Sequence, residues 1–195
     1  MTSIIKVNTI QDVGGNNLLI SNGSGNITTN KLGIKVAGMW RINSNQNISA
    51  DTETVINANW EEVDTDSYTR IGGAMSQSSG VWTFPETGIY QINWNVQFRD
   101  PSQGATRCSS IINVTTDNSN YDTAADNTGN IYHANGRTSV LSSHIFDVTD
   151  TSTHKCKLSA LCEFAAACHS ATGQSRTWVQ FIRLGDTLHG DNSFK

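Results

Sequence analysis

The sequence predicts an all-β protein: an antiparallel two-sheet sandwich of about ten strands, preceded by a short extended N-terminal arm. Three observations lead there. Asn, Ser and Thr make up roughly a third of the 195 residues, while charged side chains reach only 15%, against about 25% in an average domain. Asn and Ser favour turns, and Thr favours strands. The second observation is a period-two apolar pattern that recurs from residue 34 onward. The third is that most of the five Trp, six Phe and four Tyr fall inside those alternating segments, which excludes a disordered chain.

Residues 1–33 stand apart. SIIKVNTI reads as a short strand, VGGNN as a turn, LLIS as a brief apolar run and NGSGNITTN as polar turn. Ile4, Ile5, Val7, Ile10, Leu18 and Leu19 are too few to build a core of their own. The expectation is an arm, covering 1–33, that orders against a larger assembly or against its own copies. Residues 34–195 form the second domain.

There, Ile34, Val36, Trp40 and Ile42 share one face of GIKVAGMWRI. ETVINANWEEV is a second candidate strand, and VWTF a third, ended by Pro85. Between Gly88 and Phe98 the pattern is strict: Tyr90, Ile92, Trp94, Val96 and Phe98 alternate with Gln91, Asn93, Asn95 and Gln97. A half-buried strand gives this pattern, whereas a helix would scatter those side chains around its circumference. TRCSSIINVTT, GNIYHA, TSVLSSHIFDV and TWVQFIRLG follow, separated by turn clusters. HKCKLSALCEFAAACHSA fits either a strand or an Ala-rich helix; a strand to Phe164 followed by a loop is the preferred reading.

Two late strands carry apolar residues on both faces. Trp178, Ile182 and Leu184 oppose Val179 and Phe181, and Val140, Phe146 and Val148 oppose Leu141 and Ile145. A strand of this kind is covered twice. One cover is the facing sheet, and the other is expected to be a neighbouring subunit. Val179, Phe181, Leu141 and Ile145 are the residues assigned to that contact.

The segment GVWTFPETGIYQINWNVQF resembles the globular head of the complement first component and the tumour necrosis factor superfamily. The residues that carry the likeness are Phe84, Pro85, Gly88 and Tyr90, with Phe84, Gly88 and Tyr90 as the fold motif. NGRTSVLSSHIFDV and TWVQFIRLGD are similar to two further strands of that family, the second being its closing strand at a threefold axis. The resemblance covers roughly 36–186 and implies a ten-strand antiparallel jelly roll that assembles as a homotrimer. The loops and cysteines depart from the family, so no ligand or calcium site carries over. The opening MTSIIKVNTIQDVGG resembles the starts of structural proteins of marine tailed bacteriophages. It has neither a basic end nor a continuous apolar stretch, so it is not expected to be an export signal.

Other chemistry is thin. The net charge of −4 does not suit phosphate neutralisation, so nucleic acid is not an expected partner. No apolar run is long enough to span a bilayer. Cys108, Cys156, Cys162 and Cys168 lack zinc spacing. They are expected to be buried free thiols with no obligatory disulfide; a cross-strand bond from Cys108 and a metal site of Cys168 with His169 are the alternatives. Asp117, Asp122 and Asp126 read as a solvated turn rather than a calcium loop. Glu61, Glu62 and Glu86 are too scattered for an acid–base pair, so no enzyme activity, cofactor or metal is expected. The likenesses together imply a trimeric knob on the surface of a phage particle, made in the host cytoplasm. Residues 1–33 would tie it to other virion proteins of the capsid or tail, with host-surface glycan a possible contact. A free carbohydrate-binding lectin is the alternative.

Overall fold

The structure, a computed structural model, describes residues 7–21, 23–24, 27–28, 33–99 and 101–187. The chain divides into two units, Met1–Gly33 and Ile34–Lys195. Among the described residues every regular element is a β-strand.

The first unit is an antiparallel sheet of β1 (Thr9–Gln11), β2 (Asn17–Ser21) and β3 (Ile27–Thr28). The first two strands form a hairpin about the turn that the sequence reading places at VGGNN. The turn is closed by Asn16 N–H, which donates to Asp12 Oδ1 at 2.8 Å, and by Gly15 N–H, which donates to Asp12 O at 3.0 Å with φ +78°. Gly15 supplies the left-handed conformation that an L side chain resists. Val7 and Ile10 remain exposed, and Leu19 is half-buried. Ile4, Ile5 and the side chain of Leu18 lie outside the described residues.

The second unit contains β4 (Ala37–Ile42), β5 (Gln46–Ile48), β6 (Thr54–Val55), β7 (Trp60–Glu62), β8 (Ser76–Ser78), β9 (Val81–Thr83), β10 (Gly88–Arg99), β11 (Ala105–Thr115), β12 (Asp122–Ile131), β13 (Arg137–Val148), β14 (Lys155–Cys162), β15 (Ala166–Cys168) and β16 (Trp178–Gly185). One sheet runs β5-β15-β10-β16-β4-β7, with β13 along the free side of β10; the other runs β12-β11-β14-β9-β8, with β6 beside β14. β10, β13 and β16 lie in the first sheet and β11, β12 and β14 in the second, so the chain crosses the ends of the sandwich between β10 and β11, β12 and β13, and β13 and β14, while β11 and β12 are neighbours in one sheet. That is jelly-roll topology. The strands beyond the expected ten are pieces of two or three residues. ETVINANWEEV splits into β6 and β7, which sit in different sheets. The run from Asp122 becomes β12 rather than turn, and β15 pairs with β5 and β10 where a loop is expected.

The core lies between the sheets. Trp82, Phe84, Tyr90, Trp94, Phe98 and Phe181 are fully buried. Phe84 and Tyr90 meet at 4.7 Å between ring centroids, and Trp82 and Phe181 at 5.2 Å. Polar groups clamp the layers where they are buried: Trp94 Nε1 donates across to Ser159 O at 2.8 Å, and Ser142 Oγ donates to Ser110 O at 2.6 Å. Each bond satisfies a group that would otherwise be stranded in apolar surroundings. The Tyr90 hydroxyl donates to Glu86 O at 2.9 Å, and burial pushes its pKa up to about 12.

At the sheet margin the Arg41 guanidinium is 3% exposed. It donates to Glu61 at 2.7 Å, Asp64 at 2.8 Å and Thr65 Oγ1 at 3.1 Å. The Arg41 hydrogen bond holds the Glu61 carboxyl below its ordinary pKa. A depressed carboxyl pKa stabilises the fold above the unfolded value and stops doing so as pH falls through the folded one. Glu61→Gln should therefore cost about 1–2 kcal/mol at pH 7. In thermal melts the gap from the parent protein should close as pH drops below about 4. A gap that stays constant from pH 7 to pH 3 would show that charge is not the cause.

Candidate assembly face

The inward residues of β10 fill the core, so its intervening residues form the outer face of the sheet. Register places Leu141, Asn95, Trp178 and Arg41 in one row across β13, β10, β16 and β4. Ser143, Asn93, Gln180 and Met39 form the next, and Ile145, Gln91, Ile182 and Ala37 the third. Amides and hydroxyls bond along the face. Ser143 Oγ donates to Asn93 Oδ1 at 2.8 Å, Gln91 Nε2 to the same oxygen at 3.3 Å, and Asn93 Nδ2 to Gln180 Oε1 at 3.2 Å. Asn95 Nδ2 donates to Arg176 O at 2.7 Å. These bonds tie the amides to one another and to neighbouring strands. Leu141 is 46% exposed, Ile145 60% and Leu184 51%. The rows from Leu141 to Ile145 on β13, and their partners on β10 and β16, carry no formal charge. Asp147, Arg99 and Arg137 sit at the strand ends.

This geometry corrects half of the assigned subunit contact. Val179 and Phe181 point into the sandwich and are 0% exposed in a single chain, which leaves no surface for a partner. Leu141 and Ile145 lie on the outer face. The side of β16 that joins them is Trp178, Gln180, Ile182 and Leu184. Ile34, expected inside with Val36 and Ile42, is exposed. His144 is half-buried beside Phe146, with ring centroids 6.3 Å apart, and desolvation lowers its pKa.

Glu61, Glu62, Glu86 and Asp117 are engaged in structural bonds. Glu61 pairs with Arg41, Glu62 with Arg70 at 2.5 Å, and Glu86 with Arg183 at 3.1 Å. Asp117 closes a turn, accepting from Asn120 N–H at 2.8 Å, Asn120 Nδ2 at 2.6 Å and Ser119 N–H at 2.9 Å. Those donors hold its carboxyl well below the ordinary range. Among the described residues no three His, Cys, Asp or Glu side chains gather as a metal site. An open pocket of about 480 Å³ lies beside Asn47, Ile48 and Ala166 and carries no titratable side chain.

No protein-family model and no curated protein matches the sequence. Solved structures do match the fold. Murine APRIL at pH 5.0 aligns with a TM-score of 0.56 and 15% identity, covering 76% of this chain and 98% of that chain. Eiger TNF from S. frugiperda aligns at 0.58 and 12%, covering 82% and 98%. The chain thus has the tumour necrosis factor-like jelly roll, and at these identities the likeness concerns fold alone. The PRD1 vertex protein P5 aligns at 0.43 and 14%, covering 77% and 96%, a score too low to bear on function.

Proposed function

We propose that this protein is a non-enzymatic structural component of a tailed-phage particle, a homotrimeric surface knob carried on the virion through residues 1–33. The outer face of β13, β10 and β16 is the observation that carries the trimer. Close to a threefold axis identical copies bring like residues together, so a charged face there would repel itself. Here the face offers amides that donate and accept equally, with Leu141, Ile145 and Leu184 exposed between them. Such a face suits its own copies and buries apolar surface when it meets them. The likeness of MTSIIKVNTIQDVGG to the openings of phage structural proteins supports the virion setting.

The N-terminal unit supports the anchor. Its three short strands leave Val7 and Ile10 in water, and a sheet this small has free edges that can add strands to a receiving surface. Three such units held together by one knob would bind with the gain of multivalency. A chain beginning at Ile34 should fold and trimerise but be missing from purified particles. If particles carry the truncated chain at normal copy number, attachment runs through the jelly roll. If the intact chain stays in the soluble fraction, the virion assignment fails.

A further inference from the structure

All four cysteines are buried thiols, but they are not equivalent. Cys108 on β11 and Cys162 on β14 stand directly opposite each other in register, with sulfurs 2.8 Å apart. Directly opposed residues on antiparallel strands have Cα atoms about 4.5–5.5 Å apart, inside the range a disulfide spans. Two cysteines that far apart need only small side-chain rotations to bond. Cys156, by contrast, lies opposite Val114 on β11 and Trp82 on β9.

Access to the pair requires local opening. Cys108–Cys162 is the last register pair of the β11–β14 ladder, but Cys108 also pairs with Gly129 on β12. Asp51 N–H donates to Cys162 O at 2.8 Å, and Glu163 N–H to Arg107 O at 2.9 Å. A small reagent reaches the covered sulfurs only when this stretch opens, so the reaction is slow.

We propose that Cys108 and Cys162 are an oxidation site, a dithiol that becomes an intrachain disulfide stapling β11 to β14 when the protein meets a small-molecule disulfide such as oxidised glutathione. Cys162 gives up its proton and its sulfur attacks the reagent, whose S–S bond breaks and releases one thiolate. Cys108 then gives up its proton and attacks the Cys162 sulfur of the mixed disulfide, releasing the second thiolate. The two thiolates take up the two protons. Two protein thiols are oxidised and one reagent disulfide is reduced. The hydrogen bond between the two thiols supports the order of attack, because it lowers the Cys162 pKa. The inference stands whether or not the chain belongs to a virion. In a virion protein it would mean that a knob made reduced inside a cell becomes cross-linked after release.

The bond closes a loop between residues 54 positions apart in sequence, and a loop of that size restricts the unfolded chain strongly. The test is incubation of the intact protein with oxidised glutathione at 37 °C for a day, then unfolding in the presence of an alkylating reagent. Two alkylated cysteines are expected, Cys156 and Cys168, together with a linked peptide pair containing Cys108 and Cys162. The melting temperature should rise by about 10 °C and return on reduction. Cys168→Ser should keep the linked pair and leave one alkylated cysteine, and Cys108→Ser should leave two alkylated cysteines with Cys162 held as a mixed disulfide with glutathione. Four alkylated cysteines in the parent protein, a link through Cys156 or Cys168, or a link between chains would each overturn the assignment.

Discussion

Replacing Ile145 by Asp will leave a folded monomer, whereas replacing Phe181 by Asp will leave no folded protein. The two residues lie on opposite faces of one sheet. Ile145 projects outward beside Gln91, where a carboxylate in a single chain stays in water and costs little. At a threefold contact the same substitution buries three like charges without partners, at a cost of about 3–5 kcal/mol for each uncompensated charge. Phe181 is closed off inside the sandwich, with Trp82 at 5.2 Å and Phe84 at 6.0 Å between ring centroids. Removing such a ring costs about 3–5 kcal/mol before the charge is counted, against a total stability of about 5–15 kcal/mol. Light scattering should give the mass of three 21.2 kDa chains for the parent protein and of one for Ile145→Asp, with unchanged far-ultraviolet dichroism. Leu141→Asp should repeat the result. A parent protein that is monomeric at micromolar concentration would remove the trimer from the account.

The contrast between these residues marks where sequence reasoning reached its limit. Sequence patterns identify both β13 and β16 as two-sided strands, and the structure has both. They do not identify which side of β16 points inward. Val179 and Phe181 are no less apolar than Ile182 and Leu184, so periodicity alone leaves the two faces equivalent. The deciding facts are the pairing of Trp94 with Val179 and of Ile92 with Phe181, which put those side chains on the core side of β10. Cross-strand register is a long-range property. The inner row also ends in Arg183, a residue that hydropathy places outside and that Glu86 and Asp186 allow to be buried.

β10 was legible because its alternation is strict on both faces, which fixes orientation once one face is known to be buried. The short strands were not. β5, β6 and β15 each hold two or three residues, too few for a period to appear, and they exist because longer neighbours offer unpaired backbone groups. The outer face was half legible: Gln91, Asn93, Asn95 and Gln97 stand out as a row of neutral amides. Their bonding to Ser143 and Gln180 depends on strands about fifty and ninety residues away, as the separations of 50 and 87 record.

Gly88→Val should lower the melting temperature by about 6–12 °C, the shift that about 3 kcal/mol produces in a domain of this size. Gly88 opens β10 at φ +151°, in the region that side chains rarely adopt. Space is the second constraint. A Cβ there would overlap Arg183 Nε and sit 2.7 Å from Gly185 O. Arg183 is 7% exposed. It is held by Thr87 O at 2.9 Å, Glu86 Oε1 at 3.1 Å and Asp186 Oδ1 at 2.5 Å. Valine must therefore either expel the guanidinium from its partners, leaving a buried charge poorly compensated, or push β16 away from β10 at the pair Ile89–Gly185. Backbone strain of about 1–3 kcal/mol adds to either outcome. Arg183→Met separates the two causes. It removes the charge and replaces the rigid guanidinium by a flexible chain, so the Gly88→Val penalty should shrink in that background toward the strain alone. An equal penalty in both backgrounds would assign the glycine to backbone conformation only, and a penalty below about one degree in the parent protein would remove its structural role.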